Sequence, residues 1–178
     1  EETDLIQVNH PLIQEKAKEL TKNLDNPYDK AYAIFKFVNQ HITYDMNRAY
    51  ANKGALSALE NKKGVCQDYS QLFVALCRAS GIPARTVSGF RNTNKNTALN
   101  NYYDLTNTSH MWAEFYLPGY GWVLAEPTVT IPEEYKEYTD LILQDYFAKQ
   151  NTPEHIVTQY NKNSTTEIEH LYSLSGLG

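Results

Sequence analysis

Apolar side chains recur every three or four positions through the first part of the chain, which is the period of an amphipathic helix. The first such stretch begins around Pro11 and predicts an N-terminal helix within residues 9–24. A second opens at Asn26-Pro27 and ends near His41, and a short third helix is predicted over residues 55–59. The first part of the chain is therefore predicted to be helical.

The clearest helix is predicted from Cys66 to Ser80, where apolar residues lie nearly all the way round, as in a buried central helix. Gly81 and Pro83 end this helix. The pattern then changes to a period of two over residues 84–90, which predicts a strand.

Two aromatic and β-branched runs, residues 111–117 and 122–125, flank a Pro-Gly-Tyr-Gly turn and predict a β-hairpin. Residues 91–108 are rich in Asn and Thr and predict a long surface loop. In the tail, helices are predicted around residues 141–146 and 153–160. Helices followed by an antiparallel sheet indicate an α+β fold.

Composition narrows the class of protein. The chain has 178 residues, 42% of them hydrophobic, so it can bury a core without disulfides. Sixteen Lys and Arg against 21 Asp and Glu give a formal net charge of −5, which disfavours nucleic acid as a partner. No apolar run approaches the roughly 20 residues that a membrane-spanning helix needs.

The two cysteines, Cys66 and Cys77, differ in setting although they share one predicted helix. They lie about 16 Å apart along its axis, too far for a disulfide. Cys77 lies mid-helix among apolar residues, as a core residue does. Cys66 stands at the helix start, where unpaired N–H groups and the helix dipole stabilise a thiolate, an effect that Asp68 partly opposes. Cys66 is thus the candidate nucleophile.

A reactive thiol needs a base, and the chain has five histidines. His110 opens an aromatic strand directly after the long loop, which makes it the candidate base. The other four lie at predicted helix ends or in the polar tail, and we expect them to be capping or solvated: His10, His41, His155 and His170.

A third group must orient the base, and Glu126 lies beyond the hairpin turn. A five-residue loop would set Tyr116 opposite Trp122 and bring Glu126 to the same face as His110, within diagonal reach. A four-residue loop would put the two on opposite faces unless the strand carries a bulge. We therefore predict the odd loop or a bulge.

Several blocks of the chain closely resemble the core of the transglutaminase-like superfamily: Gly64-Val65-Cys66-Gln67-Asp68-Tyr69-Ser70, Gly81-Ile82-Pro83-Ala84-Arg85, His110-Met111-Trp112-Ala113-Glu114 and Pro118-Gly119-Tyr120-Gly121-Trp122. The resemblance covers residues 27–130 or so and implies a papain-like α+β fold. It also implies Cys66 as nucleophile, His110 as base and Glu126 as third member. The family most often has Asp at that third position.

On this basis we expect residues 1–178 to form one domain, with its core near residues 27–130 and a helical and loop extension over residues 132–178. The backbone N–H of Cys66 is the natural oxyanion donor. Tyr44 or Gln67 is a candidate second donor, and Trp112 a candidate wall of the substrate site. Trp122, Tyr102 and Tyr103 are further candidates for such walls.

The triad implies acyl transfer on protein or peptide amides through a thioester. We expect hydrolysis by a cysteine peptidase or amidase, as bacterial relatives in this superfamily often suggest. Two alternatives stay open, a protein-glutamine transglutaminase and a noncatalytic module that binds peptides or cell-surface polymers. A zinc site on Cys66, His110 and Glu126 is a weak rival, and no metal or organic cofactor is expected.

The chain begins Glu-Glu-Thr-Asp without a methionine, so we expect that a signal, lipid anchor or further domain precedes it. An extracellular or cell-surface location is the expectation, with a cytoplasmic one left open. The sequence does not indicate an oligomeric state.

Overall fold

A computed structural model describes residues 2–91, 98–99, 102–103, 108–149 and 155–161. The helices at the start of the chain are those that the apolar pattern predicts. They are α1 (Pro11–Leu20), α2 (Pro27–His41), α3 (Ala55–Asn61) and α4 (Cys66–Ala79). The first is shorter than the predicted range.

Side chains cap the first two helices at their prolines. His10 accepts a hydrogen bond from Leu12 N–H ahead of α1, and Asn26 accepts one from Tyr28 N–H ahead of α2. His41 ends α2 and bonds to the backbone oxygen of Leu59 through Nε2. The expectation that His10 and His41 serve helix ends is confirmed.

Two short strands flank α3 and pair in parallel, β1 (Thr43–Tyr44) and β2 (Lys63–Gly64). Tyr44 lies opposite Gly64 in this pair. Because β2 comes just before α4, the pairing brings Tyr44 to the start of the helix that carries Cys66.

The main sheet of the described residues is antiparallel, in the order β8-β7-β6-β3-β9. Its strands are β3 (Ala84–Arg91), β6 (Ser109–Leu117), β7 (Gly121–Ala125), β8 (Phe147–Lys149) and β9 (His155–Asn161). In the predicted loop region, β4 (Ala98–Leu99) pairs with β5 (Tyr102–Tyr103). The α+β class is confirmed.

The hairpin register matches the odd-loop prediction, because Tyr116 pairs with Trp122. Leu117 and Gly121 also pair, so the strands extend into the predicted loop. Ala113 lies opposite Ala125, and Glu126 follows directly after the last paired residue of β7.

The tail departs from the predicted helical and loop extension in two places, and the first is β8, which joins the main sheet beside β7. A 3-10 helix (Glu133–Tyr138) leads into α5 (Thr139–Asp145), near the predicted helix. The second predicted helix, over residues 153–160, is wrong, since residues 155–161 form β9 on the edge of the sheet beside β3. The β-branched run Ile156-Val157-Thr158 suits a strand, and a partner far away in the sequence decides the outcome.

The sheet has two apolar faces of unequal size. Ala113 and Phe115 of β6 pack with the helices in the main core, which α4 fills with a run of fully buried residues. On the opposite side, Trp112 forms a small second cluster with Val87 and Leu124. Alternation along β6 places His110 on the same side as Trp112, at the end of the strand.

Candidate active site

Cys66 is the first residue of α4 and is 5% exposed. The backbone N–H of a first helical residue has no partner within its own helix, so the N–H of Cys66 is open to a group beside the thiol. The Cys66 Sγ lies 3.1 Å from Gln67 Oε1, a contact in which the thiol donates. Cys77 is fully buried farther along the same helix, and burial holds the pKa of its thiol well above the ordinary value. Both cysteines are free, as predicted.

Asp68 fixes the start of α4 by a carboxylate that is fully buried. Its Oδ1 accepts hydrogen bonds from Lys53 N–H at 2.7 Å and Gly54 N–H at 3.0 Å. Its Oδ2 accepts from Asn52 N–H and Val65 N–H, both at 2.9 Å. The carboxylate of Asp68 therefore accepts from four backbone donors, three in the 52–54 loop and one at Val65, the residue just before α4.

His110 and Glu126 meet as the hairpin register predicts. His110 Nε2 lies 2.5 Å from Glu126 Oε2, and the other carboxylate oxygen accepts from Thr128 N–H at 3.1 Å. A hydrogen bond also joins the His110 ring to Cys66. Because Nε2 faces Glu126, Nδ1 is the ring nitrogen that serves Cys66.

The two members of this buried pair have opposite shifts in pKa. Burial opposes charge on His110, but the negative charge of Glu126 and hydrogen bonds to Cys66 and Glu126 outweigh it, so the pKa of His110 is raised. Burial likewise disfavours charge on Glu126, yet His110, hydrogen bonds from both histidine rings and the Arg91 charge hold its pKa well below the usual range. A carboxylate therefore faces an imidazolium at neutral pH.

His155 also reaches this pair, and the expectation that it is solvated or capping is wrong. Its side chain is 5% exposed, its Nε2 lies 3.3 Å from Glu126 Oε2, and its ring packs edge-on against Trp112 with centroids 4.6 Å apart. Arg91 Nη1 lies 4.0 Å from the same carboxylate oxygen. Sequence reasoning missed both residues because β3 and β9 carry them to Glu126 through long-range pairing. The one available signal was the β-branched run after His155.

Ligand atoms of His110, Glu126 and His155 lie within 4.8 Å of one another. Two histidines and a carboxylate are a donor set that zinc accepts in proteins. This set of ligands differs from the rival zinc site on Cys66, His110 and Glu126, because it contains His155 in place of Cys66.

The remaining candidates lie at different distances from this centre. Tyr44 is about half exposed; burial and the charge of Cys66 raise the pKa of its hydroxyl, which keeps the proton on that oxygen. Trp112 is 1% exposed and stacks beside His110 with centroids 6.1 Å apart. Trp122 pairs with Tyr116, six residues along β6 from His110, and so lies roughly 20 Å away. The side chains of Tyr102 and Tyr103, like all of His170, lie outside the described residues.

The sequence profile of the transglutaminase-like superfamily matches residues 14–127. The uncharacterized protein YebA of Bacillus subtilis is 33% identical over 129 residues, which are 65% of this chain and 17% of YebA. A protein-glutamine gamma-glutamyltransferase of Pseudomonas aeruginosa is 32% identical over 75 residues, 42% of this chain and 11% of that protein. The chain spans only a minor part of the length of these two relatives.

Two solved structures agree with this assignment. The periplasmic domain of TgpA from Pseudomonas aeruginosa, bound to ethylmercury, has a TM-score of 0.58 and 28% identity over 75% of this chain and 47% of that one. A proposed cysteine protease from Cytophaga hutchinsonii has a TM-score of 0.57 and 26% identity over 74% of this chain and 41% of that one. With the profile matching more than half of the chain, the protein belongs to the transglutaminase-like superfamily.

Proposed function

We propose that this chain is a cysteine peptidase or amidase that cleaves protein or peptide amides through a thioester on Cys66. One observation carries the proposal. The His110 ring bonds to Cys66 on one side and, through Nε2, lies 2.5 Å from Glu126 Oε2 on the other. A thiol at a helix start, a base and a buried carboxylate in this order are the parts that nucleophilic acyl transfer needs.

In the proposed reaction, His110 holds the proton at Nδ1 as the imidazolium, and Cys66 attacks the carbonyl carbon of the amide as the thiolate. The tetrahedral intermediate collapses as the C–N bond breaks, and the imidazolium gives its proton to the leaving amine. Water then attacks the thioester while His110 takes a proton from it. The C–S bond breaks, the acid product leaves, and the thiolate of Cys66 and the imidazolium of His110 are restored. Glu126 stabilises the imidazolium throughout.

The oxyanion needs hydrogen-bond donors next to Cys66. The Cys66 N–H is one, since it lacks a helical partner. Tyr44 is our proposed second donor, because its hydroxyl keeps its proton at neutral pH and its charge interaction with Cys66 indicates proximity. Gln67 is the remaining candidate; its Oε1 accepts from the thiol, so its NH2 group would have to turn to serve as donor.

Water is our proposed acceptor because neither of the two tryptophans that were candidate walls is placed to exclude it from Cys66. Trp112 is buried beside the histidines. Trp122 lies far along the sheet, where the guanidinium of Arg85 stacks on its ring. The similarity to a protein-glutamine gamma-glutamyltransferase favours an amine acceptor instead, and makes cross-linking the second candidate. Trp112 then serves as packing for His110 rather than as a substrate wall.

We also propose an extracellular or cell-surface location, by similarity to the periplasmic domain of TgpA. Among the described residues, none of the helices has the length and apolar character to cross a bilayer.

Alkylation by iodoacetamide at pH 6 tests the proposal most directly, since an ordinary thiol is mostly protonated there. The Cys77→Ala variant leaves Cys66 as the single thiol of the chain and provides the background. We expect Cys66 to react at least about tenfold faster than free cysteine, and His110→Ala in that background to remove the advantage. A Cys66 that reacts no faster than free cysteine would indicate a noncatalytic binding module.

The acceptor is tested by incubating the protein with casein and a fluorescent primary amine. We expect casein fragments without incorporated amine, and no fragments from Cys66→Ala. Amine incorporation that depends on Cys66 would replace the peptidase with the transglutaminase.

A further inference from the structure

We infer that His155 is a positioning residue that holds the Glu126 carboxylate against His110, so that this site uses a second histidine beyond its triad. The inference rests on the proposed function, because it concerns how the base of that reaction is oriented. It starts from the shared oxygen: Nε2 of His110 and Nε2 of His155 both lie against Glu126 Oε2, at 2.5 and 3.3 Å.

The backbone of β3 lets His155 come this close. A Cβ on Gly89 would lie 2.0 Å from the backbone oxygen of Ile156 and 2.9 Å from the ring of Trp112. The pairing of β3 with β9 also shifts register between Ser88 and Gly89. Only a residue without a side chain lets β9 approach at this point, and His155 is the first residue of β9.

Contacts on two sides hold the His155 ring. Trp112 packs against it edge-on at 4.6 Å, and the ring centroid lies 6.1 Å from that of His110. An ionised carboxylate only accepts hydrogen bonds, so Nε2 of His155 carries its hydrogen toward Glu126. His155 therefore acts as a hydrogen-bond donor to the carboxylate, beside the closer contact that His110 makes with the same oxygen.

The other polar groups around the Glu126 carboxylate contact it in ways that differ from the contact made by His155. Thr128 N–H donates to Oε1 at 3.1 Å, and Arg91 Nη1 lies 4.0 Å from Oε2, within ion-pair distance. Glu has one more rotatable bond than Asp, so a single hydrogen bond orients its carboxylate less firmly. The donor from His155 fixes Oε2 on the His110 side and keeps it from turning to Arg91.

Partners of this kind typically change rates by about ten- to a hundredfold when removed, as with residues that orient metal-bound histidines. We therefore expect His155→Ala to lower kcat by about tenfold with little change in KM, because the proposed role of His155 acts through Glu126. His155→Ala should also shift the pH dependence of the Cys66 alkylation rate, because a less firmly held Glu126 carboxylate stabilises the His110 imidazolium less.

The experiment compares His155→Ala, His155→Gln and, as a control distant from the site, His10→Gln, all with melting curves to verify folding. Both kcat for peptide cleavage and the alkylation rate of Cys66 across pH are measured. We expect His155→Gln to recover most of the loss through its amide N–H, and His10→Gln to match the wild type. Wild-type kcat and pH profile in His155→Ala would overturn the inference, and so would equal loss in His155→Gln, which would indicate packing alone.

Two further arms separate the possible failures. If chelator lowers the wild type to the level of His155→Ala, His155 is a metal ligand with His110 and Glu126, and the positioning role is wrong. If His110→Ala leaves Cys66 alkylation unchanged, the proposed function itself fails, whatever His155 does. If His110→Ala slows the alkylation of Cys66 as expected while His155→Ala changes neither kcat nor the pH profile, only the present inference is rejected and the proposed function stands.

Discussion

At the start of α4, Cys66 is held by backbone N–H groups that converge on the carboxylate of Asp68, whereas His110 is held by side chains from several strands. The donors around Asp68 come from a short stretch of chain, residues 52–65. The groups around Glu126 come from β3, β6 and β9, which are far apart in sequence. One side of the site is therefore local, and the other exists only in the folded sheet.

The difference shows how one protein handles two buried carboxylates. Asp68 and Glu126 are both fully buried. Asp68 spreads its charge over neutral N–H donors, so it stabilises structure without a titrating partner. Glu126 faces His110, which on the proposed mechanism gains and loses a proton, so the environment of Glu126 is charged and sensitive to pH. Substituting each carboxylate in turn therefore distinguishes a loss of folding stability from a loss of activity.

The largest effect is expected from Asp68→Asn. An NH2 group then replaces one of the two carboxylate oxygens, each of which accepts from two backbone N–H groups, so two donors lose their acceptor. We expect a loss of about 4 kcal/mol in the free energy of unfolding, measured by urea titration. The exposed Asp25→Asn provides the matched control and should stay within about 0.5 kcal/mol of the wild type. A loss below about 1 kcal/mol would contradict the role assigned to this carboxylate.

The next largest effect is expected from Glu126→Gln, and unlike that of Asp68→Asn it should depend on pH. The lowered pKa of Glu126 stabilises the fold above the unfolded value of 4.5 and is lost as pH falls. The raised pKa of His110 stabilises it below the unfolded value of 6.5 and is lost as pH rises. Glu126→Gln should therefore destabilise most between these values, by about 2 kcal/mol at pH 5.5.

Urea titrations at pH 3.5, 5.5 and 9 measure this window, with the exposed Glu60→Gln as control. We expect the difference from wild type to shrink on both sides of pH 5.5, and the control to show none of it. A difference that is the same at all three pH values would mean that the ion pair does not carry the stability.

The smallest effect concerns the length of the third side chain. Glu126→Asp keeps the charge but withdraws the carboxylate by about one carbon–carbon bond, which lengthens the 2.5 Å contact with His110 Nε2. We expect kcat for peptide cleavage to fall about tenfold while the unfolding free energy changes by less than about 1 kcal/mol. A fully active Asp variant would show that the sheet adapts to either length, as the wider family's preference for Asp allows.

Local signals predicted most of the fold and half of the site. The proline-led helices, the start of α4 at Cys66 and the register that sets Tyr116 opposite Trp122 all depend on short stretches of sequence. The hairpin register was enough to bring Glu126 toward His110. These features could be predicted because turn geometry and helix caps act within a few residues.

The rest depends on contacts between residues that are far apart in the sequence. β9 pairs with β3 some 70 residues earlier, as in the hydrogen bond from Thr158 Oγ1 to Ser88 O, and no local pattern in residues 153–160 reveals that partner. His155 was missed for the same reason. Asp68 was read as a charge that opposes the thiolate, whereas the fold turns it toward the 52–54 backbone, which lies outside the helix.

The position of β9 at the edge of the sheet has a consequence for synthesis. A ribosome delivers Cys66 well before His110 and Glu126, and delivers the last strand of the sheet after all of them. On the proposed mechanism, the growing chain carries its nucleophile before it has any proton acceptor to activate it. Activation of the thiol therefore waits until the strands that carry His110 and Glu126 have been made and have folded against α4.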